Sequence, residues 1–153
     1  MTADGFSDHE HAAIKQRAAE LRAEAKRHKI ADKTAAGRKD AEAAIAAMRD
    51  DERPLAQMLH DIIQMHAPTL FPKTWYGFPA YARDDGKTII FFQPGAKFGT
   101  RYSTIGFQDG AQLDDGALWP TAYAITTVDD STRAAVTALV RRAIDGSPID
   151  PDV

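Results

Sequence analysis

Two hydrophobic rhythms divide the chain. Ile14, Ala18, Leu21 and Ala25 recur at helical spacing among polar residues, so they predict a first helix with a narrow apolar seam. Ser7-Asp8-His9-Glu10 precedes it as a capping box, in which the Ser7 hydroxyl takes an orphan amide and Glu10 reaches back. Lys29-Ile30-Ala31-Asp32 is expected to break this helix, and a second runs from Asp32 or Thr34 to Met48, seamed by Ala41, Ile45 and Met48. Asp50-Asp51-Glu52-Arg53-Pro54 opens a third, with acids near the positive end of the helix and proline in its first turn. Its broad apolar face is Leu55, Met58, Leu59, Ile62 and Ile63, and Pro68 and Pro72 end the helical region.

Beyond Phe71 the rhythm changes. Strands are expected at Thr74–Phe78, Ala80–Arg83, Lys87–Gln93, Arg101–Phe107 and Thr121–Thr126. Asp85-Gly86 predicts a hairpin through a type I′ turn, and Pro94-Gly95 opens the next turn. Pro79 and Pro120 belong at strand ends or edges, because proline cannot donate to a ladder. A last helix starts near Asp129-Asp130-Ser131, buries Val136, Leu139, Val140 and Ala143, and stops at Gly146 and Pro148. The resulting order is α+β: an antiparallel sheet of about five strands packed against helices as a two-layer α/β sandwich, with an N-terminal helical extension. Residues 1–52 form that extension of two helices, residues 53–146 the α+β domain, and residues 147–153 a flexible tail.

Composition sharpens the division. The first fifty residues hold fifteen alanines and one aromatic, Phe6, which suits solvent-facing helix. Twelve of the thirteen aromatics and seven of the ten glycines lie between Phe71 and Tyr123, which suits strands and tight turns. With no cysteine among 153 residues, thiolate zinc sites and cysteine nucleophiles are ruled out. The start has no basic flank or apolar stretch of a signal peptide, and no apolar run could span a bilayer, so a cytoplasmic protein without a membrane partner is expected. A net charge of −3, with neither half basic, points away from nucleic acid.

Pro72-Lys73-Thr74-Trp75-Tyr76-Gly77-Phe78-Pro79-Ala80-Tyr81, followed by Gly86-Lys87, Phe91-Phe92, Lys97-Phe98, Arg101-Tyr102 and Gly106-Phe107, resembles the YdhG-like family of small bacterial domains, mostly of unknown function. The resemblance covers Leu55 to Ile144 and implies a compact layered structure, loosely related to frataxin-type and YjbR-type folds. One family member is regarded as a frataxin-like iron chaperone, so the resemblance also brings in iron as a cofactor. It supplies no catalytic residues.

Iron favours oxygen donors, and the candidate ligands are Asp84 and Asp85 with Asp114 and Asp115. Asp50, Asp51, Glu52, Asp129 and Asp130 are acids at helix starts; the first four candidates sit beside glycine in turns, where aspartate is at home. His9 and His11 point to different sides of a helix, and His60 and His66 flank the third helix's apolar stripe. Ser103 is the lone serine of the strand half, and no nucleophile motif surrounds it. Aromatics interleaved with cations carry more. Trp75, Tyr76, Tyr81, Tyr102, Trp119 and Tyr123, with Lys87 and Lys97, are the candidate ligand-binding residues, joined by Phe92, Lys73 and Arg101. Strand alternation places Phe91 opposite Ile90 and Phe92, and separates Arg101 and Ser103 from Tyr102.

Three functions are consistent with these residues. The first is a non-enzymatic protein that binds a small anionic or aromatic molecule, or a partner segment, on an aromatic sheet face. The second is a frataxin-like iron-binding chaperone, and the third an enzyme using acid–base side chains. The thin seam of the extension leaves open whether it packs on its own domain or forms a homodimer with a second copy.

Overall fold

The computed structural model describes residues 7–149. The expectation of no leader before Ser7, and all but residues 147–149 of the flexible tail expected at 147–153, fall outside that range. Among the described residues, four helices and five strands run in the order α1 (Asp8–Ala46), α2 (Arg53–His66), β1 (Phe71–Trp75), β2 (Phe78–Ala82), β3 (Thr88–Gln93), α3 (Gly95–Phe98), β4 (Ser103–Phe107), β5 (Ala122–Ile125) and α4 (Asp130–Asp145). Residues 1–35 and 36–153 make two compact units.

In the first unit the expected break does not occur, so the two predicted helices are one. None of Lys29, Ile30, Ala31 and Asp32 is a glycine or proline, and the Thr34 hydroxyl donates back to the Ile30 carbonyl (2.7 Å), a bond that sits inside a helix without ending it. Ser7 caps as expected, accepting the Glu10 amide at 3.2 Å. The predicted seam stays in solvent: Ile14 is 54% exposed and Leu21 50%.

The second unit takes in the last turns of α1, which the pattern had assigned to the extension. Ala41 and Ile45 are buried there, and they join Leu55, Met58, Leu59, Ile62 and Ile63 of α2 and Val136, Val140 and Ala143 of α4. These helices cover one face of a sheet ordered β1-β2-β3-β4-β5, antiparallel throughout. Register fixes which residues meet them: Tyr81 pairs with Ile90, Ile90 with Phe107 and Phe92 with Ile105, and all five are buried in the core. Phe91 stands apart from Ile90 and Phe92 as predicted, but Ile89, expected to share the Phe91 face, is buried in the core cluster, beside the register irregularity at Tyr81 and Ala82.

Two turns differ from expectation. The run Thr74–Phe78 is not one strand; it folds at Tyr76-Gly77, where both residues have positive φ (50° and 80°), and Trp75 pairs with Phe78 across the hairpin. The type I′ turn is therefore here. At Asp85-Gly86 only Gly86 has positive φ (85°), and its amide bonds the Arg83 carbonyl at 2.9 Å, closing a longer loop. Pro79 belongs to an interior strand, but β2 begins pairing with β3 at Ala80, so its missing N–H faces no partner. Pro94-Gly95 continues into one helical turn, α3, which Gly99 ends at φ 71°. The capping box of α4 is complete, Asp129 accepting from the Thr132 amide at 2.8 Å and the Thr132 hydroxyl accepting from the Asp129 amide at 2.9 Å.

Candidate functional site

The sheet face opposite α2 and α4 carries a second cluster of rings. Trp75 and Phe78, cross-strand partners at the β1–β2 turn, lie 5.9 Å apart edge to face; Phe91 of β3 stands 5.4 Å from Trp75 and 5.7 Å from Phe78. Phe98 of α3 packs edge-on against Phe78 at 5.6 Å, and Tyr76 in the turn itself sits 5.0 Å from Trp75. Gly106 makes room for Phe91: a Cβ there would fall 2.0 Å from the tip of the ring, which takes the space a side chain would fill. Phe78 is buried under its neighbours, Trp75 and Phe91 are half-buried, and Tyr76 is 73% exposed. The Lys97 ammonium donates to the Tyr76 carbonyl at 3.0 Å, which holds one cation at the rim of the rings.

Behind this rim a buried carboxylate ties three elements together. Glu52, just before α2, is 5% exposed and accepts from the Ala96 amide of α3 (3.1 Å) and the Ser103 hydroxyl of β4 (3.2 Å), while the Gly95 amide donates to the same hydroxyl (3.1 Å). Arg49 completes the site, 3.3 Å from Glu52 and bidentate on Asp51, and its hydrogen bonds hold Asp51 below the usual carboxylate range. Two open clefts flank the strut. One of about 250 Å3 runs between Ala44, Met48, Arg49, Gly77, Pro94 and Lys97. The other, about 110 Å3, is lined by Arg49, Thr100, Arg101, Tyr102 and Thr126. A further cleft, about 570 Å3, lies along the outer side of α4 beside Ser147 and Pro148; two arginines line it, but no second strand or helix brings polar groups toward them.

The predicted residues therefore part company. Trp75, Tyr76 and Lys97 come together at the β1–β2 turn. Tyr102 is close by with Arg101, whose guanidinium sits 5.2 Å above its ring. Both precede β4, so the alternation that was expected to separate them does not apply. Tyr81 and Phe92 are core residues with no exposure, and neither lines these clefts. Burial pushes the Tyr81 phenol far up, and its oxygen lies 2.9 Å from His60 Nδ1. His60 is thus buried and satisfied rather than flanking the stripe, with Nε2 3.6 Å from Glu42. Lys87 follows the turn at the opposite end of β2, exposed. Trp119 lines a cleft of about 320 Å3 at the far end of β4, and Tyr123 stacks edge-on against Phe107 at 5.9 Å on the core side.

The aspartates do not converge. Asp85 accepts the Lys87 amide at 3.0 Å and faces Arg83 at 3.8 Å, while Asp84 is exposed in the same turn. Asp114 and Asp115 lie in the long loop before β5. Among the described residues no three His, Cys, Asp or Glu side chains are grouped to hold a metal ion. Glu52 and Ser103 are the site residues that sequence reading assigned elsewhere, Glu52 to a helix start and Ser103 to a bare strand. Their one sequence signal is polarity at positions that alternation and helix phase turn inward. No family model, curated protein or solved structure matches this chain.

Proposed function

We propose that this protein is a non-enzymatic binding module whose ligand is a small aromatic anion held against Trp75 and Tyr76. The observation that carries this reading is the ring cluster on the sheet face opposite α2 and α4, covered only in part by Phe98 of α3, with Lys97 fixed at its rim. Rings of this kind offer a flat apolar surface with polar tips, and a cation beside them orients an anionic group. The resemblance to the YdhG-like family is part of the same proposal, as an expectation of fold relatives rather than of a reaction.

The test uses 8-anilinonaphthalene-1-sulfonate, an aromatic sulfonate, with the Trp119→Phe chain so that Trp75 is the sole indole. Saturable quenching of Trp75 with energy transfer to the probe is expected. Trp75→Ala, followed by probe fluorescence, is expected to weaken binding about tenfold, close to 1.4 kcal/mol, and Lys97→Gln about threefold. Unsaturable quenching, or binding indifferent to both substitutions, would remove the reading.

A further inference from the structure

Helix α1 carries a one-sided row of cations, and we infer that Lys15, Arg22, Lys26, Lys29 and Lys33 form a binding face for the sugar–phosphate backbone of double-stranded nucleic acid. At about 100° per residue these five side chains fall within an arc of roughly 60°. They extend over about 27 Å at the helical rise of about 1.5 Å per residue. No acidic residue between Lys15 and Lys33 shares that arc. Glu20 and Glu24 lie on the other side of the helix, where both face Arg17, at 3.2 and 3.9 Å. All five cations are exposed and none has an ion-pair partner among the described residues.

The neighbours of the row favour a charged rod over other anionic surfaces. Ala18 and Ala25 border it on one side, Ala19 and Ala23 on the other, so the helix backbone can approach closely. A major groove about 12 Å wide admits a helix so slenderly clad. An anionic membrane would call for a wide apolar face with aromatic anchors. Here only isolated aliphatic side chains adjoin the row, Ile30 on the Ala19–Ala23 side and Ile14 and Leu21 on the other, and no aromatic occurs between Ser7 and Leu70. The net charge of −3, which pointed away from nucleic acid, averages this arm with an acidic remainder: from Lys15 to Lys33 seven residues are basic and three acidic.

The test is fluorescence anisotropy of the full chain with a labelled duplex DNA of mixed sequence. Five phosphate contacts predict a log–log salt slope of about −4.5 and a loss of about 500-fold in affinity between about 50 and 200 mM salt. Joint replacement Lys26→Gln, Lys29→Gln and Lys33→Gln keeps helix propensity, checked by circular dichroism. It is expected to flatten the slope by about 2.7 and to weaken low-salt binding at least about tenfold. Arg27→Gln, off the row, is expected to change the slope little, and vesicles of phosphatidylcholine and phosphatidylserine are expected to bind more weakly than the duplex at equal anionic charge. The inference is overturned by an absence of duplex binding at about 100 μM protein in low salt, by Arg27→Gln weakening it as much as the triple change, or by tighter binding to the vesicles.

Discussion

Tyr81 illustrates how a residue chosen for its chemistry can turn out to serve the core. Its ring is fully buried and its hydroxyl meets His60, so each satisfies a polar atom of the other. Tyr81→Phe is expected to cost about 1–3 kcal/mol in urea denaturation near pH 8, because it strands a buried imidazole nitrogen. The raised phenol has a second consequence. An unfolded tyrosine ionises near pH 10, and the folded one holds its proton well above that, so the stability is intact below about pH 10 and falls as pH rises further. The fall is about 1.4 kcal/mol per pH unit, and the difference between native chain and Tyr81→Phe isolates this part of it. Glu52 is the other residue whose role is set by what surrounds it. Glu52→Ala removes the acceptor of the Ala96 amide and the Ser103 hydroxyl together and is expected to cost about 2–4 kcal/mol by the same measurement, with Glu52→Gln losing less because one amide oxygen remains.

Single elements show where local preference yields to packing. Gly37 sits within α1, where alanine would ordinarily gain about 1 kcal/mol. A Cβ at Gly37, however, would lie 2.5 Å from the carbonyl oxygen of Pro72 on the edge strand β1. Backbone does not yield as a side chain does, so Gly37→Ala is expected to lower stability by about 1–3 kcal/mol instead of raising it, as read by chemical denaturation. Helix phase predicted most of the apolar faces of α2 and α4, since those faces repeat over several turns; it missed the burial of Ala56 and His60 in α2, and Leu139 of α4 is only partly buried. The strands were legible as a set but displaced at their ends: nothing local distinguishes Thr74–Phe78 as one strand from two strands joined at Tyr76-Gly77. Cross-strand pairing of Trp75 with Phe78 decides it.

At the scale of the molecule, the sheet has α2 and α4 on one side and its exposed rings, with Phe98 of α3 among them, on the other. The second unit, Ala36–Val153, holds every buried residue among those described. Because none of Ser7–Ala35 is buried, a chain lacking residues 1–33 is expected to unfold within about 1 kcal/mol of the native one, with the same cooperativity. No helix among the described residues is long and apolar enough to cross a membrane. The candidate site was half legible at this scale: the aromatic stretch from Phe71 to Tyr123 marked the region, but eight chosen residues scatter over the core, both sheet ends and the turn. Sequence distance carries no record of which rings share a face once the turns are misplaced by a residue or two.

The amino-acid sequence by itself determined the fold class, most of the inward faces of α2 and α4, the opposite facing of Phe91 and Phe92 in β3 and the caps that begin α1 and α4. Each of these depends on contacts within a few residues or on a period that repeats several times. Tertiary structure alone decided that Tyr81 lies in the core while Trp75 stays at the surface, that Glu52 reaches across to α3 and β4, and that Gly37 must remain glycine. Those outcomes depend on atoms brought together from distant parts of the chain, where one residue of register exchanges the two faces of a strand.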